Sequence, residues 1–98
     1  MKLVIRPAAA SDIEDAFGWY QSKRPALGLD FLAALRKGFS RIIENPQAYP
    51  VLHRDTRRYR LRRFPYGLFY RCYQDTVVVV ACMHASRDPP QWQSRHDV

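Results

Sequence analysis

The run Arg57-Arg58-Tyr59-Arg60-Leu61-Arg62-Arg63-Phe64-Pro65-Tyr66-Gly67, followed by Leu68 to Tyr73 and Val77 to His84, decides the fold. Basic and apolar residues alternate in its first seven positions, and side chains along a strand repeat with a period of two. Tyr59 and Leu61 therefore face one way, while Arg58, Arg60 and Arg62 face the other. Leu68–Tyr73 and Val77–His84 read as two further strands, joined by tight turns. With Pro65-Tyr66 and Asp75-Thr76 as central turn residues, Arg62 pairs with Phe69, Arg60 with Arg71 and Arg58 with Tyr73. The second hairpin then pairs Phe69 with Cys82, Arg71 with Val80 and Tyr73 with Val78.

Directly paired residues share a face. One face is then an apolar core of Tyr59, Leu61, Leu68, Tyr70, Cys72, Val77, Val79, Ala81 and Met83. The other carries Arg58, Arg60, Arg62, Arg71 and His84 among Phe69, Tyr73, Val78 and Val80. A slip of one residue exchanges the faces of a whole strand, and Arg63 is the misfit, falling on the core face. Arg60 opposite Arg71 places like charges together, which is unfavourable unless an anion lies between them.

Working outward, Lys2 to Arg6 forms a short strand with Leu3 and Ile5 on one side. Pro7 suits the first position of a helix, and Ser11-Asp12-Ile13-Glu14 has capping-box spacing, so the helix starts near 8 or near 11. Ile13, Ala16, Phe17 and Tyr20 carry its stripe to about residue 23. Arg24-Pro25-Ala26-Leu27-Gly28 interrupts the pattern. A second helix follows, with Phe31, Leu32, Leu35, Phe39, Ile42 and Ile43 at three-and-four spacing, and Asn45-Pro46 ends it. Val51-Leu52-His53 reads as a short strand. Pro89-Pro90 cannot continue a ladder, so the sheet ends after His84; Trp92 tucks the tail back or opens a short last helix. The expected architecture is α+β over residues 1–98 as a single domain. An N-terminal strand leads to an antiparallel two-helix hairpin packed on one face of a twisted antiparallel β-sheet.

The chain has 98 residues, enough to bury a core. No apolar run approaches the roughly 20 residues that span a bilayer, and residues 1–6 lack the apolar stretch of a signal peptide. A cytoplasmic setting and no membrane partner are expected. The net charge is +7. Residues 1–49 hold seven Lys/Arg against five Asp/Glu, and residues 50–98 hold nine against four, all nine being Arg. Such a basic half points to an anionic partner, nucleic acid or acidic protein. Cys72 and Cys82 fall on opposite faces in this register, so a bridge is not expected, and no metal-ligand cluster or cofactor motif is present.

The basic-aromatic face with His84 and Arg87 at its edge suits two tasks. One is binding a nucleic acid or acidic peptide through Arg58, Arg60, Arg62 and Arg71. The other is metal-free RNA cleavage, which needs a base, an acid and cations around the phosphorane. There His84 would serve as base or acid, with Arg62, Arg71 and Arg87 as cation donors. His53 and His96 read as ordinary loop and tail residues.

The chain resembles the RelE/ParE superfamily of type II toxin–antitoxin toxins, particularly the plasmid-stabilisation branch. The likeness is carried by Trp19-Tyr20, Leu27-Gly28-Leu29-Asp30-Phe31-Leu32, Asn45-Pro46, Tyr49-Pro50 and Arg57-Arg58-Tyr59-Arg60-Leu61. It continues through Phe64-Pro65-Tyr66, Tyr70 and His84-Ala85-Ser86-Arg87-Asp88-Pro89-Pro90-Gln91-Trp92. The resemblance implies a basic toxin without cofactor, wrapped by a cognate acidic antitoxin, in some members as a heterotetramer. ParE-like members inhibit DNA gyrase without a clear catalytic set. RelE-like members cut messenger RNA on the ribosome, with positions matching Arg62, Arg71, His84 and Arg87. The Phe64-Pro65-Tyr66 and His84-to-Trp92 stretches lean toward the ParE-like branch.

Overall fold

The computed structural model describes residues 1–86 and 89–95. In chain order it contains β1 (Lys2–Ile5), α1 (Pro7–Lys23), α2 (Pro25–Glu44), β2 (Val51–His53), β3 (Thr56–Arg60), β4 (Tyr66–Cys72), β5 (Thr76–His84) and α3 (Pro89–Gln93). Both long helices begin with proline at their first turn, where a missing N–H costs nothing. Arg24 alone separates them, its extended backbone turning the chain back on itself. Ser11 and Asp12 lie inside α1 and cap nothing there; the Asp12 carboxylate is used elsewhere.

The five strands are ordered β1-β5-β4-β3-β2. β1 runs parallel to β5 and every other pairing is antiparallel, so the sheet is mixed rather than wholly antiparallel. The reason lies in Val77–Val80, an uninterrupted apolar run suited to a central strand buried on both faces. Such a strand takes a neighbour on each side, β4 on one and the N-terminal strand on the other.

The registers differ from those expected. Arg58 lies opposite Phe69 and Arg60 opposite Gly67, a four-residue displacement from the Tyr73 and Arg71 expected. The first hairpin does not turn at Pro65-Tyr66. Leu61 N–H donates to Tyr66 O at 2.9 Å, and residues 62–65 form a wider loop. Within that loop Arg63 takes φ 71°, which turns Phe64 inward. Phe64 is 6% exposed, edge-on to Tyr20 and Phe31 at 4.9 and 5.4 Å. Arg63 is thereby released from the core face and reaches Asp30 at 3.5 Å. An even displacement preserves faces, so Tyr59, Leu61, Leu68 and Tyr70 do lie under the helices.

A β-bulge changes β5. Phe69 pairs with Ala81 but Tyr70 with Val79, leaving Val80 as the extra residue. Val77 and Val79 face the helices, as does Cys82. Ala81 and Met83, expected in the same core, join Phe69, Val78 and Val80 on the opposite face beneath Trp92. Trp92 tucks back, stacking on Phe69 at 4.5 Å and 22°, and the short last helix is present too, but Pro89 opens it and Trp92 lies near its end. The bulge also brings Cys82 to the side of Cys72. The thiols remain free, with Cys72 opposite Val77 and Cys82 opposite Leu68.

Candidate functional site

Strand alternation sets the arginines of β3 apart by role. Arg57 points toward the connector after α2, its Nη1 donating to Tyr49 O at 2.7 Å and Gln47 O at 3.2 Å. It is a structural clamp. Arg58 leans over Gly67, where an added Cβ would meet its Cδ and Cγ at 3.1 Å. The glycine thus makes room for an arginine stem. Its Nε is buried with no hydrogen-bond partner among the described residues. Burial, and then the neighbouring charge of Arg60, lower the pKa of Arg58. Arg60 and Arg62 are exposed and form no ion pair among the described residues.

Arg71 is set apart from these three. It lies opposite Val78 rather than Arg60, so the expected like-charge pair does not form. Its Nε sits 3.2 Å from Asp55 Oδ1, and its guanidinium lies over the Tyr73 ring at 5.2 Å.

His84 lies opposite Tyr66, its ring edge-on at 5.3 Å and 80°. Nδ1 accepts the Ser86 N–H at 3.0 Å and lies 2.9 Å from Ser86 Oγ. An acceptor Nδ1 puts the proton of the neutral ring on Nε2. Tyr66 and Arg71 are five positions apart on β4, which separates Arg71 from His84 by roughly 17 Å along the strand. His84 shares the helix-facing side with Tyr66, whereas Arg58, Arg60 and Arg71 belong to the other. At the strand end His84 borders both grooves that meet there, one of about 940 Å³ with Asp12, Trp19 and Tyr66, the other of about 440 Å³ with Arg58, Arg60 and Trp92. Arg87 and His96 lie outside the described residues. Among those described, no group of three His, Cys, Asp or Glu side chains can hold a metal ion.

A third groove, of about 460 Å³, is lined by Arg41, Tyr49, Pro50, Arg58, Tyr59, Arg60 and Arg62. Arg41 is a residue that sequence reading missed. Its place in the last turn of α2, beside the buried Ile42, marks it as surface. Only the packing of α2 across β3 reveals which surface.

With that geometry in place, comparison with known proteins is decisive at the level of family. The family model for the ParE toxin of type II toxin-antitoxin system, parDE, matches residues 3–89. The chain belongs to the ParE toxin family. Its fold is similar to that of a chain in the solved "Chromosomal ParDE TA system from P. aeruginosa". The TM-score is 0.74 at 18% identity, covering 86% of this chain and 95% of that one. No curated protein matches the sequence. No helix among the described residues is long and apolar enough to cross a membrane.

Proposed function

We propose that this chain is a growth-arresting toxin that binds and inhibits DNA gyrase, and that a cognate acidic antitoxin holds it inactive. Membership of the ParE family sets the class. The choice of gyrase over ribosome-bound messenger RNA is carried by one observation, the separation of Arg71 from His84, two positions that match the RelE-like set. Arg58 and Arg60 share a groove with His84 but lie outside that set. RNA cleavage requires base, acid and cation around a single phosphate. Here Arg71 is engaged by Asp55 at one end of β4 and His84 by Ser86 beyond the other. Inhibition by binding needs only accessible complementary surface, which the unpaired Arg60 and Arg62 supply.

The test is direct. Purified chain added to gyrase and relaxed plasmid should block supercoiling or trap double-strand breaks. A short acidic protein encoded beside this gene should reverse the effect. Site-specific cleavage of messenger RNA in a purified translation system, with gyrase unaffected, would overturn the reading in favour of a ribonuclease.

A further inference from the structure

We infer that Arg41, Arg58, Arg60 and Arg62 form one groove that grips the phosphate backbone of duplex DNA without reading its bases. This site rests on the gyrase reading, since gyrase works on duplex DNA, but it can be tested with gyrase absent.

The groove exists because β2 is short. It pairs with β3 only at Thr56 and Arg57, and Arg58 N–H donates to Pro50 O at 3.1 Å. Beyond Arg58 the outer side of β3 has no neighbouring strand. The end of α2 and the Tyr49-Pro50 connector border that open side instead. Arg58 and Arg60 repeat on one side of β3 about 6.8 Å apart, Arg62 continues the line into the hairpin loop, and Arg41 closes it from the helix.

No carboxylate lines this groove. None of the four arginines has an ion pair among the described residues. The crowding of Arg58 by Arg60 in this groove is a cost that a bound anion removes. Guanidinium forks donate to pairs of oxygens, and three of them along a line with a fourth closing the groove suit a repeating phosphate better than an isolated carboxylate.

Duplex is favoured over single strands because the groove offers no stacking platform. Tyr59 is 7% exposed, and Tyr49 meets it edge-on at 5.0 Å and 84°. Duplex is favoured over an acidic peptide because a duplex strand presents phosphates at a regular spacing to the line of guanidinium groups. Contacts made only to phosphates position a protein without specifying sequence.

The test uses fluorescence anisotropy of short labelled duplexes of unrelated sequence, titrated with the purified chain over a range of salt. Affinity should be alike across sequences and fall steeply with salt. Each arginine removed should lower the slope of log affinity against log salt by about 0.9. The Arg41→Gln/Arg60→Gln double variant should therefore lose about twelvefold less affinity than the parent between roughly 50 and 200 mM salt. Arg24→Gln, at the helix junction outside the groove, removes the same kind of charge and should shift the slope far less. Equal effects from Arg24→Gln and the groove variants would overturn the site, leaving general charge attraction. Binding of a glutamate-rich peptide with no duplex binding would overturn it in favour of a protein partner. Duplex binding without inhibition of gyrase would leave this site standing and sink the gyrase reading alone.

Discussion

Asp12 in α1 and Arg95, just past α3, lie 83 positions apart in sequence and meet at 2.6 Å, and each also holds β5. Asp12 Oδ2 accepts the Cys82 N–H at 3.0 Å, while Arg95 Nη1 donates to Val80 O at 3.1 Å. β1 ends opposite Val79, so β5 beyond that point has lost its outer neighbour. The two side chains take over backbone groups that β1 leaves unpaired, and fasten the segment that carries Trp92. Removing Asp12 strands the Cys82 N–H and takes the counter-charge from Arg95, which keeps its bond to Val80 O; removing Arg95 frees that carbonyl but leaves Asp12 bonded to Cys82. Asp12→Ala is therefore expected to cost about 2–3 kcal/mol and Arg95→Ala about 1 kcal/mol. Urea denaturation of the two variants checks the order, and a larger cost for Arg95→Ala would contradict it.

Two glycines should respond in opposite directions to the same change. Gly38 lies where α2 crosses the sheet, and an added Cβ would meet Tyr59 Cε2 at 3.0 Å and Leu68 Cδ1 at 3.1 Å. Gly38→Ala forces a buried contact apart and is expected to destabilise by about 1–3 kcal/mol, outweighing the gain in helix propensity. Gly18, on the open side of α1, has nothing within 4 Å of such a Cβ. Gly18→Ala is expected to stabilise by about 0.5–1 kcal/mol. Thermal unfolding of both variants is the check.

The contrast between these residues shows what a sequence can disclose. The alternation from Arg57 to Arg62 and the three-and-four spacing from Phe31 to Ile43 are local periodicities, and the elements they predict are present. Register depends on non-local choices. A single left-handed residue, Arg63, widens the hairpin loop and displaces the β3–β4 pairing by four positions. Nothing in the valine run reveals that Val80 is extruded as a bulge, so the side taken by Ala81, Cys82, Met83 and His84 was not legible. The groove was half legible for the same reason. Arg58, Arg60 and Arg62 share a strand pattern, whereas Arg41 joins them only through helix-on-sheet packing.

The two functional readings part at His84. If growth arrest depends on the arginine surface, Arg60→Glu with Arg62→Glu should abolish it while stability changes by only about 0.5 kcal/mol, as is usual for exposed sites. His84→Gln should leave growth arrest intact, because under this reading the ring only fastens the turn at Ser86. Colony counts after induction, with antitoxin capture as a fold control, measure both. Loss of toxicity in His84→Gln with retained antitoxin binding would restore the ribonuclease reading.

Cys82 sets an alkaline limit on stability. Burial, and then the nearby Asp12 carboxylate, push its thiol up to about 12. In the unfolded chain a cysteine ionises near pH 8.5. The folded state therefore holds a proton that the unfolded state has released, and the sign follows. The contribution is complete below about pH 8.5, shrinks as pH rises, and is gone once pH passes the folded value near 12. Tyr20, Tyr70 and Cys72 are raised in the same direction, by burial first, and steepen the fall. Cys82→Ala is expected to lower stability near neutral pH by about 1 kcal/mol through lost packing. It should also flatten the decline between about pH 9 and 11. Melting temperatures measured across that range for both proteins, under reducing conditions, provide the comparison. An equally steep decline in the variant would remove Cys82 from the account and leave the tyrosines as its cause.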